Sequence, residues 1–238
     1  AGSRLGSSLG VDLMRLGGKG GPIEQTGRII VDGDAGSHMG ISMLRGAIYV
    51  SGGVMLPLGN VVEAESELSG YKKFVSVTEA LEKGLAVLPP NEISEKGLAI
   101  KDGLIRDTLG ARNPTKKSLL LGGDAGMSTG ILMGSGSIEV DGDSGANTGV
   151  LMQGGRIVIR GGTGDFTGAE MRAGEIIIEG DAGSFACARM KGGAVYARQG
   201  KCLPPARMCS PDGGEQAMLS RSLKIPLLHA MMYKKFSL

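Results

Sequence analysis

The sequence contains few aromatic, histidine or cysteine residues, and these scarcities disfavour several classes of protein. Among 238 residues there is no tryptophan, aromatic residues make up 3%, and there are two histidines and three cysteines. A small, odd number of cysteines argues against a disulfide framework and favours a reducing compartment. With few aromatic rings to stack on bases and a net charge of +2, nucleic-acid binding is disfavoured.

Long apolar segments are also lacking. The sequence has no run of 18 or more apolar residues, so we expect no transmembrane helix, and no signal peptide is recognisable. Together with the cysteine count, these features predict a cytoplasmic protein. The hydrophobic fraction of 41% and the charged fraction of 21% are typical of a globular chain with one sizeable core.

Glycine, in contrast, accounts for 43 residues and recurs with a fixed period of 19. The repeated unit occupies residues 117–135, 136–154, 155–173 and 174–192, decays from residue 193, and has an isolated copy at 27–45 and a partial one from residue 46. This period excludes collagen, which repeats every three residues. It indicates a solenoid, in which each unit contacts mainly its neighbours.

Each unit opens with alternating apolar residues, such as Ile138 and Val140, and this period of two predicts a short strand. Gly142 and Asp143 follow and favour a turn, and a methionine such as Met152 closes the unit. Nineteen residues are too few for a strand and a packed helix. We therefore predict an all-β, right-handed, single-stranded parallel β-helix, whose equivalent residues stack about 4.8 Å apart.

The glycines of each unit follow the spacing Gly-x-x-Gly-x-x-x-Gly, and we predict that they allow the backbones of stacked corners to approach closely. The matching positions are Gly33, Gly36, Gly40, Gly123, Gly126, Gly130, Gly142, Gly145, Gly149, Gly161, Gly164, Gly168, Gly180 and Gly183. Cys187 takes the third slot of the last copy, and we interpret it as a small buried residue.

The repeat divides the chain into five segments. They are an N-terminal extension (1–26), the first coils (27–52), an insertion of mixed structure (53–116), the main coils (117–200) and a C-terminal cap or tail (201–238).

Within the insertion, residues 75–85 predict a helix with Ser76 or Thr78 near its start and Gly84 as its end. Residues 95–113 fit either a strand and turn or a helix. A long excursion of this kind is typical of either an interface between subunits or a lid over a gap in the stack.

The C-terminal segment leaves the repeat and is basic. From Arg198 onward there are seven Lys or Arg residues against two acidic ones. An apolar series at helical spacing is interrupted by Pro226; its members are Leu219, Leu223, Leu227 and Met231. We favour an end cap, because repeat folds require one. The alternative is a basic, methionine-rich segment that docks on a partner protein.

One sequence match points to catalysis. Residues 126–130 (GMSTG) fit the G-x-S-x-G pattern of serine hydrolases, with Ser128 as the nucleophile. The equivalent slots of the other units hold unrelated residues, which are His38, Asn147, Phe166 and Phe185. The match is therefore interpreted as a by-product of the repeat, and Ser128 is a weak catalytic candidate.

Metal and cofactor motifs are equally weak. A column of aspartates could bind Ca²⁺ or cap turns; it consists of Asp34, Asp124, Asp143 and Asp181. We favour turn caps, because calcium-binding β-rolls use a nine-residue unit. The cysteines lack zinc spacing, and neither a P-loop nor a Rossmann fingerprint occurs. We predict no metal or cofactor on this chain.

Coils of the form GxIxVxGDAGxxxGxxMxGG resemble the GXGXG-motif β-helix family, which includes the β-helical subunit of formylmethanofuran dehydrogenase and the C-terminal domain of the glutamate synthase large subunit. The resemblance covers residue 27 to about 53 and residue 117 to about 200. It implies a right-handed β-helix without catalytic residues, which positions neighbouring catalytic domains or subunits and helps to wall passages between their active sites. The insertion at 53–116 departs from this pattern.

The resemblance implies a non-catalytic scaffold subunit of a multi-subunit oxidoreductase in one-carbon metabolism of the methanogenesis type. Partner subunits would carry a molybdenum or tungsten pterin, iron–sulfur clusters, zinc or FMN, and would contact residues 53–116 or 201–238. One alternative is a stand-alone glutamate synthase-type domain that assembles with synthase and glutaminase subunits. A second, disfavoured alternative is an independent esterase that uses Ser128.

Overall fold

The structure is a computed structural model that describes residues 1–12 and 20–238. Its strands are β1 (Arg28–Val31), β2 (Ala47–Val50), β3 (Val61–Ala64), β4 (Lys72–Ser76), β5 (Glu92–Ile93), β6 (Gly97–Ile100), β7 (Ser118–Leu121), β8 (Ser137–Val140), β9 (Arg156–Ile159), β10 (Glu175–Ile178), β11 (Ala194–Ala197), β12 (Arg207–Cys209) and β13 (Lys234–Ser237). Its helices are α1 (Val77–Lys83), α2 (Gly213–Leu223) and α3 (Leu227–Ala230).

One short strand per coil stacks in parallel on the equivalent strand of the next coil. From β7 to β11 the register advances by one repeat at each step, so that Ile138 lies opposite Ile157 and Ile157 opposite Ile176. Isolated parallel bridges continue the ladder at the corners, for example between Ala125 and Ser144. The predicted parallel β-helix is confirmed.

The interior of the coils is filled by the residues that the repeat predicts. The inward-facing Ile138, Ile157 and Ile176 are fully buried, as are the closing Met133 and Met152. Because each coil presents the same residue types at the same positions, the core is a set of continuous apolar columns. The net stabilisation comes from burying these side chains against their equivalents above and below.

The first residues of the chain form half a coil. Arg4 donates its backbone N–H to the carbonyl of Ser37 at 2.8 Å, and Gly40 donates to Leu5 at 2.7 Å. Residues 1–10 (AGSRLGSSLG) also repeat the pattern of 35–44 (AGSHMGISML). The segment 1–26, predicted as an extension, therefore contributes a solenoid corner; its residues 13–19 lie outside the described part of the chain.

The segment 53–116 lies only partly outside the solenoid. Strands β3 and β4 form an antiparallel hairpin, and β4 pairs with β2 in place of a coil strand. Helix α1 follows; Ser76 caps its start and Gly84 ends it in the left-handed region, as the sequence predicts.

The chain rejoins the solenoid at β6, where Gly97 lies opposite Ser118 in parallel register. Residues 95–113 thus form a strand and turn, and the insertion is shorter than predicted. Sequence analysis missed this coil because its spacing to the next one is two residues longer than the repeat.

Asn60 joins the coils on either side of the hairpin. Its backbone N–H donates to Gly40 at 3.0 Å, and its side-chain oxygen accepts the N–H of Gly110 at 2.9 Å. Gly40 and Gly110 both occupy the third glycine slot of their coils. In the coil that the hairpin interrupts, that slot belongs to Gly59, 19 residues after Gly40, whose N–H donates to the carbonyl of Met39 at 2.7 Å as the third glycines do elsewhere in the stack. Asn60 follows it, and its side chain links this coil to the next.

The C-terminal segment closes the end of the stack. Strand β13 pairs antiparallel with β11, and β12 pairs with β13, while Phe236 of β13 is fully buried in the main core. Helices α2 and α3 pack on the outer face of β9 to β11. This part of the chain is a cap, as favoured from the sequence, but Pro226 divides the predicted apolar series between two helices.

Candidate functional site

The second glycine of each corner is required by backbone contact. A Cβ built on Gly145 would lie 2.9 Å from the carbonyl carbon of Gly126, and one on Gly183 would lie 2.5 Å from that of Gly164. Because these neighbours are main-chain atoms of the preceding coil, they cannot rotate away. The predicted role of this slot, close approach of stacked backbones, agrees with the geometry.

The third slot is required by conformation and by the core together. Gly149 has φ +66°, in the left-handed region, and a Cβ on it would lie 2.3 Å from Cδ1 of Ile176. Cys187 adopts the same conformation with φ 58° and is fully buried. Burial raises the pKa of the Cys187 thiol to about 12, so this cysteine is neutral and is not an activated nucleophile.

The aspartates of the repeated slot cap the backbone of the following coil. Asp34 accepts the N–H of Gly53 at 2.7 Å, Asp124 that of Asp143 at 2.8 Å, and Asp143 that of Gly162 at 2.7 Å. These three are therefore backbone caps, as favoured, although the capped group belongs to the next coil; for Asp181 the turn cap stays a prediction. Among the described residues, no cluster of three or more His, Cys, Asp or Glu side chains could hold a metal.

A second aspartate column was not predicted. Asp165 accepts the N–H of Ser184 and Asp107 accepts that of Met127, both at 2.8 Å. These aspartates lie at one corner position in two coils, but the intervening coils carry Met127 and Ala146 there. The sequence signal is too sparse to reveal the column.

Ser128 lies at a left-handed corner with φ 60°, and its N–H donates to the carbonyl of Ala146 at 2.8 Å. The same conformation recurs in the stacked residues of this slot, including His38, Asn147 and Phe166. The conformation thus belongs to the solenoid corner. Neither histidine is brought to Ser128: His38 contacts Ser37 and Asp107, and His229 lies in α3.

The structure instead places a serine, a histidine and an aspartate together at another corner. The Ser37 hydroxyl is 2.9 Å from Nδ1 of His38, and Nε2 of His38 is 3.3 Å from Oδ2 of Asp107. Asp107 is buried, but its Oδ2 has no aligned hydrogen-bond partner among residues 1–12 and 20–238. The group thus lacks the hydrogen bond that orients the imidazole in a catalytic triad, and it links two coils.

A buried ion pair fixes the corner after β6. Arg106, only 1% exposed, donates from its two terminal nitrogens to the carboxylate oxygens of Asp102 at 2.8 and 2.6 Å, and from Nε to the carbonyl of Val61 at 2.8 Å. Burial by itself would raise the pKa of Asp102, but the bonds from Arg106 outweigh this effect and hold that pKa below its usual 3.8. The pair joins the hairpin to the solenoid.

A cleft of about 220 Å³ lies beside α1 and is lined by Arg45, Thr78 and Glu82, among others. Arg45 donates to Glu82 and, at 2.8 Å, to the carbonyl of Leu44. Thr78 donates to the carbonyl of Ala111 at 2.7 Å. These polar groups are therefore engaged within the protein, and the cleft is part of the packing between α1 and the coils.

The cap exposes a group of apolar side chains that lie close together in sequence. Four residues of α3 and its C-terminal end form what we call the α3 surface: Leu227, Leu228, Met231 and Met232, which are 53%, 72%, 56% and 67% exposed. Only Ala230 of the helix itself is buried. Scattered exposed apolar residues are ordinary, but a contiguous group is typical of an interaction site.

No helix in the described ranges combines the length and the apolar character needed to cross a bilayer.

Comparison with known proteins identifies a relative of unknown function. The chain is 48% identical over 141 residues to an uncharacterized protein of Methanothermobacter thermautotrophicus. The aligned region includes 59% of this chain and 46% of the relative, so the chain spans about half of the relative's length. No protein-family model and no solved structure matches the chain.

Proposed function

We propose that this chain is a non-catalytic scaffold subunit of a multi-subunit oxidoreductase, similar to the β-helical subunit of formylmethanofuran dehydrogenase. The observation that carries the proposal is the α3 surface, an apolar area on a cap whose own packing does not use it. The resemblance of the glycine coils to the GXGXG-motif family supplies the kind of complex.

The repeated polar groups support the same proposal. The aspartates of both columns bond backbone N–H groups of the following coil, and the corner glycines serve close packing and left-handed turns. The chemistry of the repeat is thus directed to holding the stack together. A rigid stack suits a subunit that holds catalytic partners at fixed positions.

The proposal is tested by purifying the tagged full-length chain from its native host and identifying what elutes with it. We expect stoichiometric subunits that carry a molybdenum or tungsten pterin, iron–sulfur clusters or zinc, with redox turnover in the complex and none in the isolated chain. A chain that elutes alone under mild conditions would contradict a scaffold role.

Co-elution of an FMN-dependent synthase and a glutaminase would instead favour the glutamate synthase-type alternative, in which the same fold organises different partners. The two outcomes differ in bound cofactor, which flavin fluorescence and metal analysis distinguish on the same sample.

Two serines, Ser128 and Ser37, are the residues to test for an independent hydrolase activity. Any ester hydrolysis by the purified chain should be unchanged by Ser128→Ala, because neither histidine bonds that hydroxyl in the described part of the chain, and by Ser37→Ala, because its histidine is not oriented by an aligned carboxylate. Loss of activity in either variant at unchanged thermal stability would establish a catalytic role and contradict the proposal.

A further inference from the structure

We propose that the α3 surface binds an acidic, apolar-faced surface of a partner protein. This inference rests on the proposed scaffold function and names the contact and the chemistry of the partner.

Helix α3 and its C-terminal end leave four apolar side chains exposed. Pro226 is the N-cap of α3, and the N–H of its C-cap residue Met231 donates to Leu227 at 3.2 Å, which places Leu227 and Met231 one helical turn apart. Met232 follows directly, and its N–H donates to His229 at 3.1 Å. The segment is attached by other groups: Ala230 and Tyr233 are buried, and the Tyr233 hydroxyl donates to the carbonyl of Glu179 at 2.9 Å. The four apolar side chains are therefore held in place without taking part in the cap's own core.

The residues that flank these side chains in sequence are basic. From residue 216 to 238 the sequence contains Arg221, Lys224, Lys234 and Lys235 and no Asp or Glu. Arg221 and Lys224 are exposed, and neither forms an ion pair within the described ranges. The residues that flank the α3 surface in sequence are thus cationic. Glu179 of the coils, whose carbonyl accepts the Tyr233 hydroxyl, has its carboxylate 4.0 Å from Arg160.

The acidic residues of the cap do not offset this charge at the α3 surface. Asp212 caps the start of α2 by accepting the N–H of Glu215 at 2.8 Å. Glu215 in turn accepts hydrogen bonds from Tyr196 and Lys235. Both carboxylates are committed at the other end of α2, so a complementary partner has to bring its own acidic groups.

The length and composition of the exposed segment favour a protein over a membrane as its binding partner. A surface-bound membrane segment is typically a longer amphipathic helix with aromatic residues at the headgroup level. Here the helix has four residues, of which Leu227, Leu228 and His229 are exposed, and the exposed segment contains no Phe, Tyr or Trp side chain that is not buried. Flexible methionines adapt to an apolar protein groove, and arginine and lysine at the rim favour carboxylates. The occupant that fits is a protein surface with an apolar centre and an acidic rim.

The test uses the full-length chain in its native complex. A photoreactive amino acid at position 232 should cross-link to a peptide of another subunit that carries Asp or Glu next to apolar residues. The same probe at position 127, where Met127 is 43% exposed in the main coils, is the positional control and should not cross-link to that peptide.

The cross-linked partner is then purified and titrated against variants of the chain. We expect Leu228→Ser with Met232→Ser, and separately Lys224→Glu, to weaken binding at least tenfold, and Met127→Ser to leave binding unchanged. The weakening by Lys224→Glu should diminish at high salt, because it acts through exposed charges. Unchanged circular dichroism and thermal midpoints would show that the variants are folded.

Several outcomes would overturn the inference while leaving the scaffold function intact. They are an intact complex with no cross-link from position 232, a cross-link to a second copy of this chain, and variants of the α3 surface that bind normally. Flotation of the chain with vesicles of phosphatidylserine and phosphatidylcholine that is lost in the Leu228→Ser, Met232→Ser variant would assign the surface to a membrane instead. If no complex forms at all, the scaffold function fails, and the proposed contact fails with it.

Discussion

At the scale of single residues, glycine occupies three slots of the repeat for three physical reasons. In the first slot a Cβ on Gly142 would lie 2.0 Å from Oδ1 of the capping Asp124, whereas one on Gly33 or Gly123 would meet no atom within 4 Å, but these two glycines have φ of +107° and +120°. In the second it would meet backbone, and in the third it would force a side chain into the left-handed region and into the apolar core. The three slots should therefore respond differently to alanine.

We expect Gly145→Ala to lower the free energy of unfolding by about 1–3 kcal/mol, because the added methyl group meets main-chain atoms of the preceding coil. Gly53→Ala is the matched control. Its Cβ would meet only Asp34 Oδ1, at 3.5 Å, and the change should stay within about 0.5 kcal/mol. Urea unfolding followed by circular dichroism measures both, and equal effects would contradict the backbone-contact explanation.

The aspartate column gives a second prediction. Asp143→Asn should be nearly neutral, because the amide oxygen can still accept the N–H of Gly162, whereas Asp143→Ala should cost about 1 kcal/mol. Neither Ca²⁺ nor EDTA should shift the thermal midpoint of the native chain by more than about 1 °C. A calcium-dependent midpoint that Asp143→Asn abolishes would support the ion-binding alternative.

These residue-level features were only partly predictable. Sequence spacing identified the glycine slots and favoured the aspartates as caps, because both follow the chain's own period. It did not show that Asp34 caps Gly53 in the next coil, since the stacked neighbour lies 19 residues away. The group of Ser37, His38 and Asp107 was missed because it is assembled across the hairpin from distant parts of the sequence.

At the scale of elements, two non-repeating segments determine how the coils begin, break and end. The hairpin of β3 and β4 replaces a coil strand beside β2, and β12 to β13 with α2 and α3 close the last coil. Helix α1 and the cap could be predicted from capping residues and position in the chain. The return to the solenoid at β6 could not, because the longer spacing hides it.

The junction after β6 should be sensitive to acid through Asp102. The folded pKa of Asp102 lies below 3.8, so its pairing with Arg106 stabilises the protein above that pH and is lost as the pH falls through the folded value. Asp102→Asn should cost about 3 kcal/mol at pH 7, because it leaves a buried guanidinium unpaired.

Unfolding titrations at pH 7 and pH 3 measure the difference between native chain and variant. We expect that difference to shrink at pH 3. A gap of constant size over this range would show that the charge of Asp102 is not what stabilises the junction.

The cap gives a prediction of its own. Phe236→Ala should lower the free energy of unfolding by about 3–5 kcal/mol, because the ring is fully buried at the end of the main core. Leu238→Ala, at a position 62% exposed, is the control and should have little effect. Thermal unfolding distinguishes the two variants. An unchanged thermal midpoint in Phe236→Ala would mean that the last coil does not depend on the buried ring of Phe236.

At the scale of the whole molecule, stability should vary along the stack. The first coils have their own small core, separated from the main core by the hairpin, and β1 is an edge strand whose Ile30 is 47% exposed. Strand β9 lies between β8 and β10 with Ile157 fully buried. In a repeat array each coil depends on its immediate neighbours.

Hydrogen exchange followed by mass spectrometry should therefore show faster exchange for peptides of β1 and β2 than for those of β8 to β10. Phe236→Ala is the informative control, because it should increase exchange in β11 before it affects β7. Uniform protection along the whole stack would indicate one cooperative unit.

Strands β7 to β11 stack in one register, so each added unit lengthens the solenoid by the same amount. Each unit adds a rise of about 4.8 Å and returns the chain to the same side of the solenoid. Deleting or duplicating one complete unit, such as residues 155–173, would move α3 by one rise of about 4.8 Å relative to the hairpin. The orientation of α3 would stay nearly the same. Distance and orientation could thus be adjusted separately, and whole-unit variants would report how much clearance a bound neighbour tolerates.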